Sequence, residues 1–321
     1  MVTRIGAHRI GRDNPPAGAF IEVNGTRMHY VHLAAGPKAD LPPLVFIHGA
    51  SANLNDQMTP FRPLLEGRAE MLFFDRPGHG WSERGADNSG QEKQAATIAA
   101  LMDALKIKDA IIVAHSFGGS VAMALALDHP EKVRGLLLLS PATHPWPDKK
   151  TQWYYNVAVI PAIGRLFTEA VTLPVGLLSL QAGSEGVFCP NKMPDGYLKD
   201  AQIPLVLRPS NFRSNSIDVA GLHDYTVRAS PRYPEINKPT VILTGDEDTV
   251  VLEEVHSKGL ARDIKGSELL WVHGIGHKPD YIATNLAVMA IEKLNGASRD
   301  LQAAARNLED AVHKMEPGVC K

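Results

Sequence analysis

The chain has 321 residues, 44% of them hydrophobic and 21% charged, and its 33 basic and 35 acidic side chains leave a formal net charge of −2. This composition excludes a disordered or fibrous chain, and the charge balance argues against a protein built to bind nucleic acid or an anionic membrane surface. The two cysteines, Cys189 and Cys320, lie far apart without any CxxC spacing. They predict neither a disulfide framework nor a zinc site, and they favour a reducing compartment.

The sequence predicts neither secretion nor a membrane span. The first 20 residues contain no apolar run of signal-peptide length, which predicts a cytoplasmic protein. The most apolar region, Trp153–Leu180, carries Arg165 and Glu169 and is interrupted by Pro161 and Pro174. A span needs about 20 uninterrupted apolar residues, so this region predicts short buried helices instead.

Extended runs and helices alternate along the chain. Residues 1–19 are polar and rich in Gly and Pro, and they predict an arm laid over the body. The runs Phe20–Val23 and Thr26–His32 flank Asn24-Gly25, a pair typical of a tight hairpin. Continuous apolar runs, typical of strands buried on both faces, follow at Leu44–Ile47, Met71–Phe74, Ala110–Ala114, Gly135–Leu139, Thr240–Thr244 and Glu268–Val272. Helices are predicted at Thr97–Lys106 and Gly118–His129, so the pattern favours an α/β fold with a mostly parallel sheet.

One stretch interrupts this alternation. Residues 144–235 contain many prolines and short apolar runs but no run of the buried-strand type, which predicts a helical cap inserted after the sixth strand. The core is therefore expected in two parts, residues 1–143 and 236–296. Residues 297–321 predict a helical extension that either packs on the core or forms a dimer contact, so a monomer and a homodimer both stay open.

A serine stands at the sharpest predicted turn. The strand Ala110–Ala114 runs almost directly into Ser116, and a helix begins at once. Only small residues fit two positions before and two after such a serine, and Ala114 and Gly118 hold these positions. The pattern is typical of a nucleophile elbow, which presents a serine hydroxyl at the carboxyl edge of a sheet. The backbone N–H of Phe117 would point at an anion forming beside the serine.

The strand Leu44–Ile47 ends in His48-Gly49-Ala50. A glycine here lets the backbone bend over the serine, so that the N–H of Ala50 can give a second hydrogen bond to an oxyanion.

A serine hydroxyl is a poor nucleophile without a general base, and a histidine held by a carboxylate supplies one. The strand Thr240–Thr244 leads into a turn that ends in Asp248, and the strand Glu268–Val272 leads into a glycine-rich loop that ends in His277. Since the carboxyl ends of parallel strands meet at one edge of a sheet, both side chains are expected beside the serine.

Five short motifs stand in order along the chain: HGAS at 48–51, DRPGHGWS at 75–82, AHSFGG at 114–119, GDED at 245–248 and GIGH at 274–277. Together they resemble the α/β-hydrolase fold superfamily over nearly the whole chain. The resemblance implies that Asp248 is the acid, in preference to Asp246 and Glu247, and that His277, which follows a glycine, is the base. It leaves His273 as a packed or hydrogen-bonded histidine.

The nucleophile indicates the reaction. Relatives that form an alkyl-ester intermediate need a carboxylate at the elbow, so Ser116 points to acyl transfer. The expected substrate is a small-molecule carboxylic ester of small to medium acyl chain, cleaved without a metal or an organic cofactor. Three alternatives stay open: C–C bond hydrolysis of a diketone ring-fission product, cofactor-free perhydrolase or haloperoxidase activity, and a binding protein that senses a ligand.

The substrate pocket is expected to be lined by His48, Gly49 and His115 from the core and by Trp153 and Phe167 from the cap. The remaining apolar side chains of residues 153–180 are expected to form the wall of the pocket or the cap's own core. A capped pocket offers no broad interfacial surface, which predicts poor activity on long-chain emulsified lipids.

Overall fold

The computed structural model describes residues 2–149 and 151–320. One sheet of eight strands forms its centre, and every strand expected from the sequence is present. The strands are β1 (Ala19–Val23), β2 (Thr26–Leu33), β3 (Leu44–Ile47), β4 (Met71–Phe74), β5 (Ala110–His115), β6 (Val133–Leu139), β7 (Thr240–Gly245) and β8 (Glu268–Val272). Their order in the sheet is β1-β2-β4-β3-β5-β6-β7-β8.

The strands from β3 to β8 run parallel, and only the hairpin β1–β2 is antiparallel to its neighbours. The parallel strands are buried along almost their whole length because helices cover both faces of the sheet. Consequently β3, β5, β7 and β8 all deliver their following loops to one carboxyl edge.

Helices flank the sheet on both sides. They are α1 (Val2–Asp13), α2 (Leu54–Leu65), α3 (Gln91–Ala104), α4 (Phe117–Asp128), α5 (Trp153–Val159), α6 (Ile163–Ala170), α7 (Thr172–Phe188), α8 (Tyr197–Asp200), α9 (Pro209–Ala229), α10 (Glu253–Asp263), α11 (Pro279–Ile282), α12 (Thr284–Leu294) and α13 (Leu301–Val312). Helices α3, α4 and α10 share one apolar core with the sheet, and α2, α12 and α13 share the other. The predicted α/β-hydrolase architecture is confirmed.

The cap follows β6, as predicted. In the described part of residues 140–239 the chain forms helices α5 to α9 and short 3₁₀ turns, and no strand interrupts them. The long helix α9 packs against both α5 and α6. Two small apolar clusters hold the rest of the cap, one around Leu173 and Leu207 and one around Phe188 and Tyr197.

The beginning of the chain, where the sequence predicted an arm laid over the body, is helical. Residues 2–13 form helix α1, which contacts α6 and α7 of the cap. Gly6 and Gly11 lower the helix propensity of this segment, but they allow close packing. A Cβ on Gly6 would lie 2.2 Å from Leu173 of the cap, and one on Gly11 would lie 3.2 Å from Trp81. Tertiary packing of the glycine face therefore outweighs the weak local propensity.

The cysteines also differ from the expectation. Cys189, at the end of α7, and Cys320 form a disulfide across 131 residues of sequence, with their Cα atoms 5.4 Å apart. This disulfide could not be predicted from the sequence, because the fold, and not the local spacing, brings the two residues together. A disulfide is typical of oxidising compartments, so the cysteines no longer support a cytoplasmic location.

The C-terminal helix packs on the core. The apolar face of α13 carries Leu301, Ala305 and Val312, which are buried against β8 and α12. Among the described residues, no single helix is both long and apolar enough to cross a membrane. The bent pair α6–α7 passes that test only when both helices are counted together.

Candidate active site

Ser116 sits at the junction of β5 and α4 with φ +53° and ψ −122°, a conformation that costs energy for a residue with a side chain. The surrounding packing explains why this turn is so sharp. A Cβ on Gly118 would lie 2.2 Å from the carbonyl oxygen of Ile47, so α4 can approach β3 only with glycine there. The Ser116 N–H donates to Leu139 of β6 and anchors the turn. The strain holds the hydroxyl up from the sheet edge.

The structure brings Ser116, His277 and Asp248 together. The Ser116 Oγ lies 2.9 Å from His277 Nε2, and His277 Nδ1 lies 2.7 Å from Asp248 Oδ2. All three side chains are buried. Such a chain holds the imidazole with its Nδ1–H toward the acid, so that Nε2 is left to accept the serine proton.

Asp248 is held in its ionised form. Burial by itself would raise the pKa of this carboxyl, but the facing His277 and the N–H groups of Val250 and Val251 lower it below its ordinary value. Both N–H groups donate to Oδ1, at 2.8 and 3.0 Å, which leaves Oδ2 for the imidazole. A carboxylate fixed in this way stabilises an imidazolium at His277.

The alternative acid has another partner. Asp246 accepts a hydrogen bond from the N–H of Gly274 and pairs with the exposed side chain of His273 at 2.6 Å. His273 is therefore hydrogen-bonded, as the sequence suggested. Geometry separates the two acids because Asp246 faces the start of the histidine loop and Asp248 faces its end.

The turn after β3 reaches the serine. A Cβ on Gly49 would lie 3.1 Å from the Cβ of Ser116, so the backbone of Gly49-Ala50 passes directly over the elbow. Phe117 is the first residue of α4, and its N–H has no acceptor within the helix. The oxyanion role of the N–H groups of Ala50 and Phe117 stays a prediction.

The ring of His48 is hydrogen-bonded at both nitrogens. Its Nδ1 donates to the Gly49 carbonyl at 2.8 Å, and its Nε2 accepts the N–H of Arg76 at 2.9 Å. Burial, reinforced by the charge of Arg76, lowers the pKa of His48 well below its ordinary value, so the ring is neutral. Both ring nitrogens serve the backbone turn, and the contact of His48 with a substrate stays a prediction.

Arg76, from the glycine-rich motif after β4, supports the same turn from below. Its fully buried guanidinium donates to the carbonyls of His48 and Gly49 at 3.0 and 3.2 Å. It also donates to Asp218 of α9 at 2.6 Å, which links the core to the cap. The link between Arg76 and Asp218 could not be predicted from the sequence, because the two residues lie 142 positions apart.

His115 holds the histidine loop from the other side. Its Nε2 donates to the backbone carbonyl of His277 at 2.8 Å, and its ring centroid lies 5.0 Å from that of His277. Burial lowers the pKa of His115 well below its ordinary value, so the ring is neutral and Nδ1 is an acceptor. This Nδ1 has no hydrogen-bond partner among the described residues. His115 thus lies beside the site, as expected, and it positions the base.

A buried ion cluster lies beneath the site. The ammonium of Lys278, the residue after the base, donates to both oxygens of Asp56 at 3.1 and 2.9 Å and to Asp280 at 2.9 Å. Tyr197 of the cap donates to the same Asp56 at 2.9 Å. The oxygens of Asp56 and Asp280 and a nitrogen of His115 are close enough together to suggest a metal site. The Lys278 ammonium already takes the cation's place between the two carboxylates.

The cap contributes one side chain to the histidine loop that sequence analysis missed. Asn191 donates to the Gly274 carbonyl at 2.8 Å and accepts the N–H of Gly276 at 3.1 Å. A Cβ on Gly276 would lie 2.0 Å from the carbonyl oxygen of Cys189, so this loop and the end of α7 are in direct contact. The disulfide at Cys189 ties the same junction to the C-terminal tail.

The two cap residues expected in the pocket contact each other. Trp153 is 65% exposed, and the aromatic rings that it contacts in the described structure, Tyr154 and Phe167, belong to the cap. The apolar faces of α5 to α7 point in part to solvent, and the place of Trp153 in the pocket stays a prediction. Phe167 is partly buried against Trp153, and no contact in the described structure joins it to Ser116.

A family model of the alpha/beta hydrolase fold matches residues 42–279, a range that contains all five motifs and all three residues of the Ser116–His277–Asp248 chain. The chain belongs to this family. The resemblance noted in the sequence is therefore confirmed.

The relatives of this chain are named as different enzymes. The dihydrolipoyllysine-residue acetyltransferase component of the acetoin cleaving system of Cupriavidus necator is 33% identical over 129 residues, 40% of this chain and 33% of that protein. The 2-hydroxymuconate semialdehyde hydrolase of Pseudomonas putida is 28% identical over 261 residues, 76% of this chain and 86% of that protein. The solved structure of Est816, described as an N-acyl homoserine lactone degrading enzyme, is 26% identical with a TM-score of 0.63, over 87% of this chain and 100% of that one.

The matches to the first curated relatives cover only part of those proteins. The chain matches about a third to a half of the length of the first curated relatives. The comparisons establish membership of the alpha/beta hydrolase fold family.

Proposed function

We propose that the protein is a serine hydrolase that cleaves carboxylic esters, cyclic esters included, through an acyl-enzyme on Ser116. The observation that carries the proposal is the hydrogen-bonded chain from Ser116 through His277 to Asp248 at a strained turn. Strain of this kind persists only where the surrounding structure maintains it, and it is concentrated at functional sites.

In the first half of the reaction the Ser116 Oγ attacks the carbonyl carbon of the ester, and its proton moves to Nε2 of His277. Asp248 stabilises the resulting imidazolium. The imidazolium then gives its proton to the oxygen of the leaving alcohol as the bond between acyl carbon and oxygen breaks, which leaves an acyl-serine.

In the second half a water molecule attacks the acyl-serine, with His277 again taking the proton. It returns this proton to the Ser116 Oγ, so the acid product leaves and the enzyme is restored. In both halves the negative oxygen is held by the N–H groups of Phe117 and Ala50. Each such donor is worth on the order of 3–4 kcal/mol of transition-state stabilisation.

Two observations bear on the substrate. Est816 is described as degrading an N-acyl homoserine lactone, which is a cyclic ester, and it matches this chain over 87% of its length. The Ser116 nucleophile suits linear and cyclic esters equally, because both present a carbonyl carbon with an oxygen leaving group. We place the acyl chain in the small to medium range, beneath the cap.

A second candidate function is C–C bond hydrolysis of a ring-fission product. It is favoured by the relative from Pseudomonas putida, which covers 76% of this chain. The same serine and histidine would serve it, but the leaving group is then a carbanion that must be protonated at carbon. A ring-fission substrate assayed beside the ester separates the two reactions.

The test is hydrolysis of p-nitrophenyl esters of graded acyl length by the wild-type protein, Ser116→Ala and Ser120→Ala. Ser120 is a matched control, because it lies one turn further along α4 and its hydroxyl donates to the Phe117 carbonyl, with no other partner among the described residues. We expect Ser116→Ala to lose all but a trace of turnover while Ser120→Ala keeps it. A folded Ser116→Ala protein with wild-type turnover contradicts the proposal. A wild-type protein that binds these compounds and turns none over is a binding protein.

A further inference from the structure

The cap carries a large apolar surface on its outside. Six bulky apolar side chains of α5 to α7 are more than half exposed; they form the cap apolar surface and are Trp153, Ile163, Leu166, Val175, Leu177 and Leu178. Leu178 and Leu166 are the most exposed, at 88% and 69%. Sequence analysis expected such side chains in the pocket wall or in the cap's own core. An exposed apolar patch of this size marks an interaction site.

The six side chains lie on neighbouring elements. Ile163 and Leu166 are three residues apart on α6, and Val175 and Leu178 are three apart on α7, so each pair shares a helix face. Helices α6 and α7 contact each other, and the ring of Trp153 contacts Phe167 on α6. The opposite face of α7 packs on the protein, with Leu173 in a buried cluster beside Leu207.

The composition of this region matches a lipid environment. Between Trp153 and Ser184 the charged residues are Arg165 and Glu169, which lie one helical turn apart and pair with each other at 3.5 Å. Helices α6 and α7 together have the length and apolar composition of a membrane segment, but a bend of 61° separates them. A bent pair with one face packed on protein and one apolar face outward has the geometry of helices that lie in the plane of a bilayer interface.

The neighbouring charge is positive. Helix α1 contacts both α6 and α7 and exposes Ile5. Its Arg9 and Arg12 side chains are 76% and 68% exposed, and the two share one acidic partner, Asp13. Its sequence holds three arginines against one aspartate. The near-zero net charge of the whole chain does not prevent local attraction of α1 to anionic lipids. At moderate salt, charges more than about 10 Å away are largely screened, so the charges on α1 dominate at its own surface. A basic amphipathic helix beside an apolar surface suits an anionic lipid headgroup layer.

We propose that the cap apolar surface and α1 dock the protein on an anionic lipid surface, with α6 and α7 lying at the headgroup boundary. The aromatic side chains of Trp153, Tyr154 and Tyr155 would then sit at the level of the headgroups, where such rings accumulate. A lipid surface needs few directional hydrogen bonds, whereas a protein partner needs about one per 100–200 Å². The docking goes beyond the proposed chemistry and does not depend on it.

The test is co-sedimentation of the full chain with two kinds of vesicle, one of phosphatidylcholine alone and one of phosphatidylcholine and phosphatidylglycerol in equal parts. We expect binding to the mixed vesicles, weaker binding to the neutral ones, and a blue shift of tryptophan emission that Trp153→Phe abolishes. The double variant Leu166→Ser/Leu178→Ser should bind about ten-fold more weakly for each leucine. Arg9→Gln/Arg12→Gln should weaken binding to the mixed vesicles only.

Val227→Ser is the matched control. Val227 is exposed at the far end of α9, where its neighbour Arg228 reaches Glu92 of the core, and its replacement should leave binding unchanged. Hydrolysis of a soluble ester and the thermal midpoint show that the leucine, arginine and valine variants are folded, since none of these side chains contacts Ser116, His277 or Asp248 in the described structure.

Two results would overturn the proposal. One is wild-type protein that stays in the supernatant with both vesicles, or binding that the double leucine variant does not change. The other is a wild-type dimer in sedimentation velocity that the double variant converts to a monomer, without vesicle binding by either protein. In that case the cap apolar surface belongs to a second copy of the chain.

Discussion

Replacing Asp280 by asparagine is expected to stabilise the protein at neutral pH. The cluster beneath the site places one ammonium, on Lys278, between two carboxylates, on Asp56 and Asp280, and all three side chains are buried. With both acids ionised, one positive and two negative charges leave a net charge of −1 in the interior. Burial raises the pKa of Asp280 to about 6 from an ordinary value of 3.8, although Lys278 opposes the rise.

The sign follows from proton linkage. A carboxyl group with a higher pKa in the folded state binds its proton more tightly when folded, so this contribution is complete below pH 3.8 and is lost as the pH rises through about 6. The difference between the ordinary pKa of 3.8 and the folded-state pKa of about 6 corresponds to a free energy of at most about 3 kcal/mol. Relaxation around the buried charge reduces the expected gain to about 1–3 kcal/mol. Asparagine keeps an oxygen for Lys278, while Asp56 still neutralises the ammonium.

Urea unfolding of the wild type and Asp280→Asn, from about pH 4 to about pH 8, measures the effect. We expect equal free energies of unfolding near pH 4 and a growing advantage of the variant through pH 6. Asp56→Asn is the control, because it removes the carboxylate that Lys278 contacts through both oxygens, sets an amide NH2 in place of one of them, and should cost about 3–5 kcal/mol. If Asp280→Asn is destabilised equally at every pH, the ion pair with Lys278 stabilises the fold by more than burial of the Asp280 charge destabilises it. That result would contradict the expected stabilisation.

Three further changes test the site and its supports. Asp248→Asn should lower kcat by about 10⁴-fold, whereas Asp246→Asn, which breaks an exposed pair, should change it by less than about two-fold; the reverse ranking in steady-state kinetics would move the acid to Asp246. Asn191→Ala should lower kcat by about ten-fold with KM unchanged, since the histidine loop loses two hydrogen bonds; unchanged kcat would make Asn191 a structural residue only. Cys320→Ser should lower the free energy of unfolding by about 2–4 kcal/mol, and reductant should bring the wild type to the variant's thermal midpoint; a wild type insensitive to reductant contradicts the disulfide.

The sheet and the serine turn could be predicted because their signals are local. Strands buried on both faces need continuous apolar runs, and residues 44–47 and 71–74 show this pattern without interruption. The elbow needs small residues around the serine, and Gly118 supplies the space that a Cβ would fill. The resemblance of the motif GDED to the family's pattern favoured Asp248, which the structure places against His277.

The supports of the site could not be predicted because they join distant residues. Lys278 meets Asp56 across 222 residues of sequence, and Arg76 meets Asp218 across 142. Neither pair has a local pattern. The solvent exposure of Trp153 could not be predicted from the sequence for another reason. Apolar composition predicts burial, but it does not say whether protein or another phase covers a helix face.

The proposed mechanism requires that Ser116 becomes covalently acylated. The most direct measurement is the intact mass of the wild type and Ser116→Ala after reaction with a fluorophosphonate, followed by peptide mapping. We expect one adduct on the wild type, located on the peptide that contains Ser116, together with loss of esterase activity in proportion to labelling. We expect no adduct on Ser116→Ala. An adduct on another residue, or full activity in a fully labelled protein, would contradict the proposed mechanism.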